Sequence, residues 1–548
     1  KNFQYVISNT SLTTQKKHLQ KMKLAFLPAT LAALLASGAS AGPNTYTYPV
    51  KSINLSSALK PEYYGAYSSD ELSVGRTTDV HAVHGIQTST GASVLVGKGD
   101  EAEGSQYSDA FAVGLSSTSA KVWGWGSNSA NGDAANSVAE LSSGDFLVAG
   151  WRTVGGIGKR SVTKLSSSGS ELYTATDFGD SSASHGAYEM IVLDSSSNNV
   201  YVTGLNKKSD LEEMAFKSYG NVPSGTAIIE KLPASAFGAS APTSSSVTWS
   251  REFSGYSTAK TAVPFGSDKV AVQLYGEDGG KSAAVVVLNA NDGSIVWGPS
   301  NYGNDHGEGT DMTVSTDGSA LIMVGHGTGS GEVGLSGRVT KISTSDGTRS
   351  WSKSFNVGGN ANIIYNECWG VAALEDGTGF GVSCGAGIEG DKCEQLSGQD
   401  KSDCNAGIGD RRAGAKPRGK DNWQSFVFKI DGEGTLLWQR VDSYKCNNGC
   451  AANIDASGFD PSSSAAEWIF PGTGGDLGIV TDEVFGLGVL MLGTDGTEAD
   501  TGGGGDSGGN EDEDGDEETN VDGGADKLGA SLSGIFWLAL ASAGVFAL

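Results

Sequence analysis

Basic residues are few. Lys and Arg number 37 against 63 Asp and Glu, giving a net charge of −26. A chain that must neutralise phosphates needs the opposite balance, so nucleic acid is excluded as a partner. Histidine and cysteine are scarcer still, six of each in 548 residues. All six cysteines fall between Cys368 and Cys450. An even number in a chain carrying a secretory signal points to disulfides rather than to metal or redox chemistry. The pair around Cys446-Asn447-Asn448-Gly449-Cys450 fits no usual zinc spacing. No nucleophile elbow, two-histidine zinc helix, P-loop or dinucleotide fingerprint stands in a supporting context. What the chain has in excess is glycine, 81 residues, without a collagen period and with aromatics at 8%. Glycine-punctuated β-structure is expected, and a length of 548 residues calls for several domains or one large repeat architecture.

Both ends read as addresses. Residues 1–21 are polar and are taken as an upstream translated segment. Met22 then opens a secretory signal over 22–41: Lys23, an apolar run from Leu24 to Leu35, and Ala39-Ser40-Ala41 at the cleavage site. An N-terminal membrane anchor is the alternative, disfavoured by Pro28 and the short apolar run. At the other end, 527–548 closes on an apolar stretch from Leu532 to Leu548, behind the small residues Gly523-Gly524-Ala525. Small residues, a polar spacer and a terminal apolar tail are what GPI attachment requires, with Gly523 and Gly524 as the attachment positions. A spanning tail is the alternative. Residues 494–526 form an acidic, Gly-rich linker; Asp495 to Asp526 holds 13 acidic and no basic residues, half of the net charge. Lacking the ligand spacing of an EF-hand, it reads as a solvated stalk, with weak divalent-cation binding as the other reading.

Between these ends, residues 42–493 repeat at roughly 50-residue intervals. One signature is a turn, a short apolar strand and a glycine: Ser93–Gly97, Asp145–Gly150, Val200–Gly204, Val270–Gly276, Ala320–Gly325, Phe380–Gly385 and Gly488–Gly493. Turn pairs such as Ser143-Gly144, Asp317-Gly318 and Asp376-Gly377 precede several of them and supply the positive φ of tight hairpins. A second signature is a β-branched strand, a turn and an aromatic-bearing strand: Val286 to Trp297, Val339 to Trp351 and Phe426 to Trp438, with weaker members ending at Trp123, Tyr173 and Trp249. Each unit reads as four short antiparallel strands, a propeller blade, whose outer aromatic packs between neighbours. The fold class is therefore all-β, a propeller of about seven four-stranded blades, with six or eight as alternatives. The seventh unit lacks an outer strand, and Tyr46–Val50 with Ile53–Leu55 are its expected donors.

The endings of the K-[IL]-x-x-x-[DS]-G-x-x-x-W type resemble the PQQ-type, or quinoprotein-like, β-propeller repeat. The resemblance covers most of Val80 to Gly493 and specifies a fold rather than an activity. It implies PQQ and Ca²⁺ as cofactors of a dehydrogenase, yet the chain offers no vicinal cysteine pair and no assignable calcium or catalytic-base constellation.

Candidate site residues are sparse. His84, His185 and His306, each before a glycine and ahead of an inner strand, could reach the channel mouth with Asp305 and Glu308 and hold a metal ion or work as acid and base. The plainer alternative is that each satisfies a local turn. Cys368 and Cys384 sit symmetrically about Asp376-Gly377 and are the first expected disulfide; Cys393 with Cys404 and Cys446 with Cys450 follow. The insertion 386–422 in blade six carries the one clear basic cluster, Asp410 to Lys420, read as a solvated loop or an anion or polysaccharide contact. Asn54 heads the sole sequon after the signal. These features together suggest a GPI-anchored propeller on the extracellular face of the plasma membrane or in the cell wall. It would bind an extracellular glycan or protein ligand, with a surface oxidoreductase or hydrolase as the competing class.

Overall fold

A computed structural model of the chain describes residues 44–47, 51–54, 64–68 and most of 79–496, excepting mainly the connections 101–107, 210–222, 328–335, 388–423 and 446–463. In the first three segments only the backbone is described. Among the described residues, apolar runs cut by Gly, Asp and Ser turns form thirty strands. The N-terminal ones are β1 (Asn44–Thr47), β2 (Lys51–Asn54) and β3 (Tyr64–Ser68). Blade one follows as β4 (Asp79–Gln87), β5 (Ser93–Asp100), β6 (Ser108–Leu115) and β7 (Lys121–Gly126). Blade two is β8 (Asp133–Glu140), β9 (Phe146–Val154), β10 (Ile157–Leu165) and β11 (Glu171–Ala175). Blade three is β12 (His185–Leu193), β13 (Asn199–Lys208), β14 (Thr226–Pro233) and β15 (Trp249–Phe253). Blade four is β16 (Thr258–Phe265), β17 (Lys269–Tyr275), β18 (Ala283–Asn289) and β19 (Ile295–Asn301). Blade five is β20 (Glu308–Val314), β21 (Ala320–Gly327), β22 (Ser336–Ser343) and β23 (Arg349–Gly358). Blade six is β24 (Tyr365–Ala373), β25 (Phe380–Gly387), β26 (Gln424–Ile430) and β27 (Leu436–Lys445). Blade seven contributes β28 (Ser464–Pro471), β29 (Leu477–Glu483) and β30 (Gly486–Leu492).

The seven sheets are antiparallel within each blade, and the first strands touch their neighbours all the way round, β28 meeting β4. The protein is a seven-bladed β-propeller. Its core lies between blades, where one sheet's apolar face packs on the next; Phe355 on β23, for example, stacks against Phe428 on β26 with ring centroids 4.5 Å apart.

Closure uses an N-terminal strand, but not the expected one. The fourth strand of blade seven is β3, pairing antiparallel with β30, Gly65 opposite Val489. The segments expected to close the ring instead add parallel fifth strands, β1 beside β23 of blade five and β2 beside β27 of blade six. The reason is reach. In blades one to five the fourth strand leads by a short connection into the next blade's first strand, and of the three N-terminal strands β3 stands nearest upstream of β4 to play that part. The seventh sequence signature is also displaced: Gly488–Gly493 falls on the third strand of its blade, whereas the other six fall on second strands.

A bulge marks every first strand. The extra residue is Val83, Asn136, Glu189, Lys260, Thr310, Trp369 or Glu467 in blades one to seven. It explains the glycine of the sequence signature. Opposite the residue before the bulge stand Gly97, Gly150, Gly204 and Gly325, and a Cβ on any of them would come within 2.0 Å of a first-strand carbonyl oxygen, 1.9 Å for Gly150 against Ala134. In blades four, six and seven that register position is taken by Leu274, Cys384 and Thr481. Cys384 faces Cys368 across the pair, and the two are joined by a disulfide. Cys393, Cys404, Cys446 and Cys450 lie outside the described residues.

The second signature is an inter-blade dock. The fourth-strand tryptophans Trp123, Trp249, Trp297, Trp351 and Trp438 lie on the left-handed glycines of the next blade's turn: Gly169, Gly293, Gly347, Gly434 and Gly496. The indole of Trp249 and the ammonium of Lys231 both donate to the Ala290 carbonyl; Trp351 with Lys341 does so at Gly432, and Trp438 with Lys429 at Thr494. The repeated Lys and Trp thus answer a single carbonyl, and the glycine is needed because a side chain there would strike the ring. Since Gly496 and Thr494 complete the dock of blade six, the ring extends past residue 493 into the start of the acidic segment.

Candidate functional site

Strand order gives the ring two unlike faces. On one, first-to-second and third-to-fourth strands are joined mostly by tight turns such as Ser315–Ser319, where Gly318 has φ +71° and Asp317 accepts from the Ser319 amide and hydroxyl. The other collects the connections 101–107, 210–222, 328–335, 388–423 and 446–463. The first strands begin at this second face, and their opening residues are unusually polar: Asp133, His185, Lys260, Glu308, Asn366 and Glu367. Asp133 takes the Arg152 guanidinium at 2.8 Å and the Thr153 amide at 2.9 Å. Burial pushes its carboxyl up, and these partners recover only part of the shift.

A buried polar group spans blades four and five. Lys260, projected by its bulge, donates to Glu308 at 2.7 Å, and His326 Nε2 lies 3.6 Å from the other carboxylate oxygen. Burial raises the Glu308 carboxyl, and the Lys260 ammonium together with His326 more than offsets this, holding it at about 2. Two residues before Glu308, fully buried His306 shares a hydrogen bond with Thr340 at 2.8 Å. Burial, followed by the Arg338 guanidinium, brings His306 down to about 3, so it is neutral. The Nδ1 atoms of His306 and His326 have no hydrogen-bond partner. Chemically this is a fixed, ionised carboxylate paired with Lys260, with the neutral His306 imidazole two residues upstream; its groups are enclosed rather than presented to solvent.

The histidines named from sequence do not converge. His84 accepts from the Val138 amide through Nδ1 and stacks on Trp468 at 4.5 Å, so it ties blades seven, one and two together. His185 Nδ1 accepts from the Gly158 amide at 3.0 Å, across the seam of blades two and three. His306 and Glu308 share blade five, and Asp305 lies outside the described residues. Among the described residues, no group of three or more His, Cys, Asp or Glu side chains is placed to hold a metal ion. Asn54 ends β2 and only its backbone is described; Gly523, Gly524 and the basic cluster 410–420 lie outside the described residues.

Sequence reasoning missed the latches made by the bulges. Asn136 donates to the Tyr188 carbonyl at 2.7 Å, Thr310 to that of Cys368 at 2.6 Å, and Asp311 accepts from the Val371 amide at 3.0 Å. Each binds the next blade's first strand. No period or motif announces them, because the residue types differ from blade to blade.

No family model matches the chain, and no curated protein does. Solved structures resemble it in fold. Sqt1 of Chaetomium thermophilum, bound to the N-terminus of ribosomal protein L10, aligns over 78% of this chain and 98% of its own at 12% identity, with a TM-score of 0.39. A protein of unknown function from Dyadobacter fermentans covers 57% and 93% at 10% identity, TM-score 0.38. A glucose dehydrogenase covers 65% and 95% at 10% identity, TM-score 0.32.

Proposed function

We propose that the protein is a cell-surface or cell-wall recognition propeller, binding an extracellular glycan or protein through the face that gathers its long connections. The observation that carries this reading is the inequality of the two faces. One is finished in tight, self-capped turns that leave little to vary. The other collects the long connections apart from the 234–248 link of blade three, and it is the side from which the insertion 386–422 with its basic cluster departs. A propeller held by docks and latches supplies the rigid base that such loops need, and the addresses read at the two chain ends, with a GPI anchor in the second, would present it outside the cell. The acidic stalk would act as the spacer. Probing immobilised glycans and secreted proteins with the purified mature chain tests the reading; a saturable ligand supports it, and silence across both classes counts against it.

A further inference from the structure

We propose that the seam between blades two and three holds a binding site for a small neutral polyhydroxylated ligand, such as a single sugar unit. An open cleft of about 350 Å³ lies there, at the small end of the volumes of small-molecule sites. Its lining includes Arg160, Asn206, Ile228, Glu230, Ser250 and Glu252.

The cavity lies where the repeat is broken. Aligning third strands on the residue paired with the fourth-strand aromatic puts Gly114, Lys164, Lys231, Val287, Lys341 and Lys429 in one column. Four residues earlier, five blades carry Ala110, Ala227, Ala283, Gly337 and Ser425, whereas blade two carries Arg160. One residue earlier, five blades carry Val113, Thr163, Val286, Thr340 and Phe428, whereas blade three carries Glu230. These two exceptions meet. Arg160 donates to Glu230 at 2.7 Å and to the Phe178 carbonyl at 3.0 Å, both side chains being almost fully buried, and Tyr188 adds its hydroxyl to Glu230. The dock is altered at the same seam: Tyr173 replaces tryptophan, and blade three joins its third and fourth strands by residues 234–248 instead of a five-residue turn. A buried ion pair stabilises weakly compared with apolar packing, so its presence where neighbouring blades use small or mostly uncharged residues calls for another reason.

The polar groups specify the ligand's chemistry. Arg160 is balanced by Glu230, and Glu252 by Lys207 with Asn206 as a second donor. A site whose charges are already paired offers no net attraction to an ion. It does offer, at its mouth, the exposed Ser244 and Ser250 hydroxyls and the Glu252 carboxylate as donors and acceptors, and hydroxyl groups are the ligand groups that use both. Trp249 has its indole N–H and one ring face engaged by blade four, so recognition here rests on hydrogen bonds rather than stacking.

Saturation-transfer NMR of the intact protein with glucose, galactose, mannose and N-acetylglucosamine tests this. At least one sugar should bind saturably. Ser250→Trp, placed at the exposed mouth, should weaken that binding by at least about tenfold, and Ser244→Trp serves if the first variant misfolds. Ser345→Trp, on a distant turn, should leave binding unchanged. No saturable binding of any of the four sugars, wild-type binding in the mouth variants, or preferential binding of inorganic phosphate or spermidine would overturn the proposal. Because the cavity is lined by residues of blades two and three and the insertion 386–422 belongs to blade six, failure here and failure of the loop-face reading are separable.

Discussion

The Trp297 dock admits a quantitative test. The ring lies against Gly347, and its indole donates to the Thr344 carbonyl at 2.8 Å. A half-buried tryptophan removes area near the lower end of the ~150–250 Å² typical of buried aromatics, which at about 25 cal/mol per Å² is worth about 4 kcal/mol. The hydrogen bond adds about 1 kcal/mol. Trp297→Ala should therefore destabilise the ring by about 4–5 kcal/mol. Trp297→Phe keeps most of the area and should lose about 1–2 kcal/mol. Gly347→Ala suffers twice. Its φ of +75° strains an L-residue by about 1–2 kcal/mol, and its Cβ would stand 2.7 Å from Trp297 Cζ3, an overpacking of about 1–3 kcal/mol. Only the second penalty depends on the indole. In the Trp297→Ala background, Gly347→Ala should fall to the backbone strain alone, a coupling of about 1–3 kcal/mol. Urea midpoints at constant m value for the two single variants, the double variant and the parent measure it. Additive effects, or a Trp297→Ala penalty below about 1 kcal/mol, would refute the dock as the reason for the repeated Gly and Trp.

Other consequences follow from the same geometry. Deleting 62–70 should abolish cooperative unfolding because β3 closes blade seven, whereas deleting 42–56 should leave a folded ring; circular dichroism melts distinguish the two. Removing the disulfide with Cys368→Ala and Cys384→Ala together should lower stability by about 3 kcal/mol, and a non-reducing peptide map should recover the 368–384 pair. Acid should unfold the protein through blades four and five. His306 and Glu308 both have depressed folded-state values, about 3 and about 2. Their stabilisation is present at neutral pH and is lost as pH falls, from near 6.5 for His306 and from near 4.5 for Glu308. His306→Gln should flatten the upper part of that decline in a stability–pH series, and an unchanged profile would contradict the assignment. Lys260→Met should cost about 3–5 kcal/mol by leaving Glu308 buried without its counter-charge.

Much of the fold was legible because the ring repeats. The apolar strand ending in glycine and the Lys–Gly–Trp ending both recur, and both proved to be recurrent contacts, the glycine against a bulge carbonyl in four blades and the tryptophan against a neighbour's turn in five. Closure was half legible: an N-terminal strand was needed, but pattern alone favoured Tyr46–Val50 over Tyr64–Ser68, and the deciding quantity was the distance to β4. The site was far less legible. His84 and His185 looked like ligands because histidine is rare here, yet their ring nitrogens accept backbone amides across seams, a role set by packing in three dimensions. Arg160 and Glu230 left no motif at all; they stand out only after the blades are aligned by register.

The most direct test of the recognition account replaces residues 388–422 of the insertion by a short Gly-Ser turn, leaving β25 intact, and compares ligand binding with that of a variant altered at Ser315–Ser319 on the opposite face. The account predicts that binding to the captured extracellular ligand is lost in the first variant and kept in the second, with equal melting temperatures. Full binding after the loop replacement, or loss only with the turn variant, would contradict it.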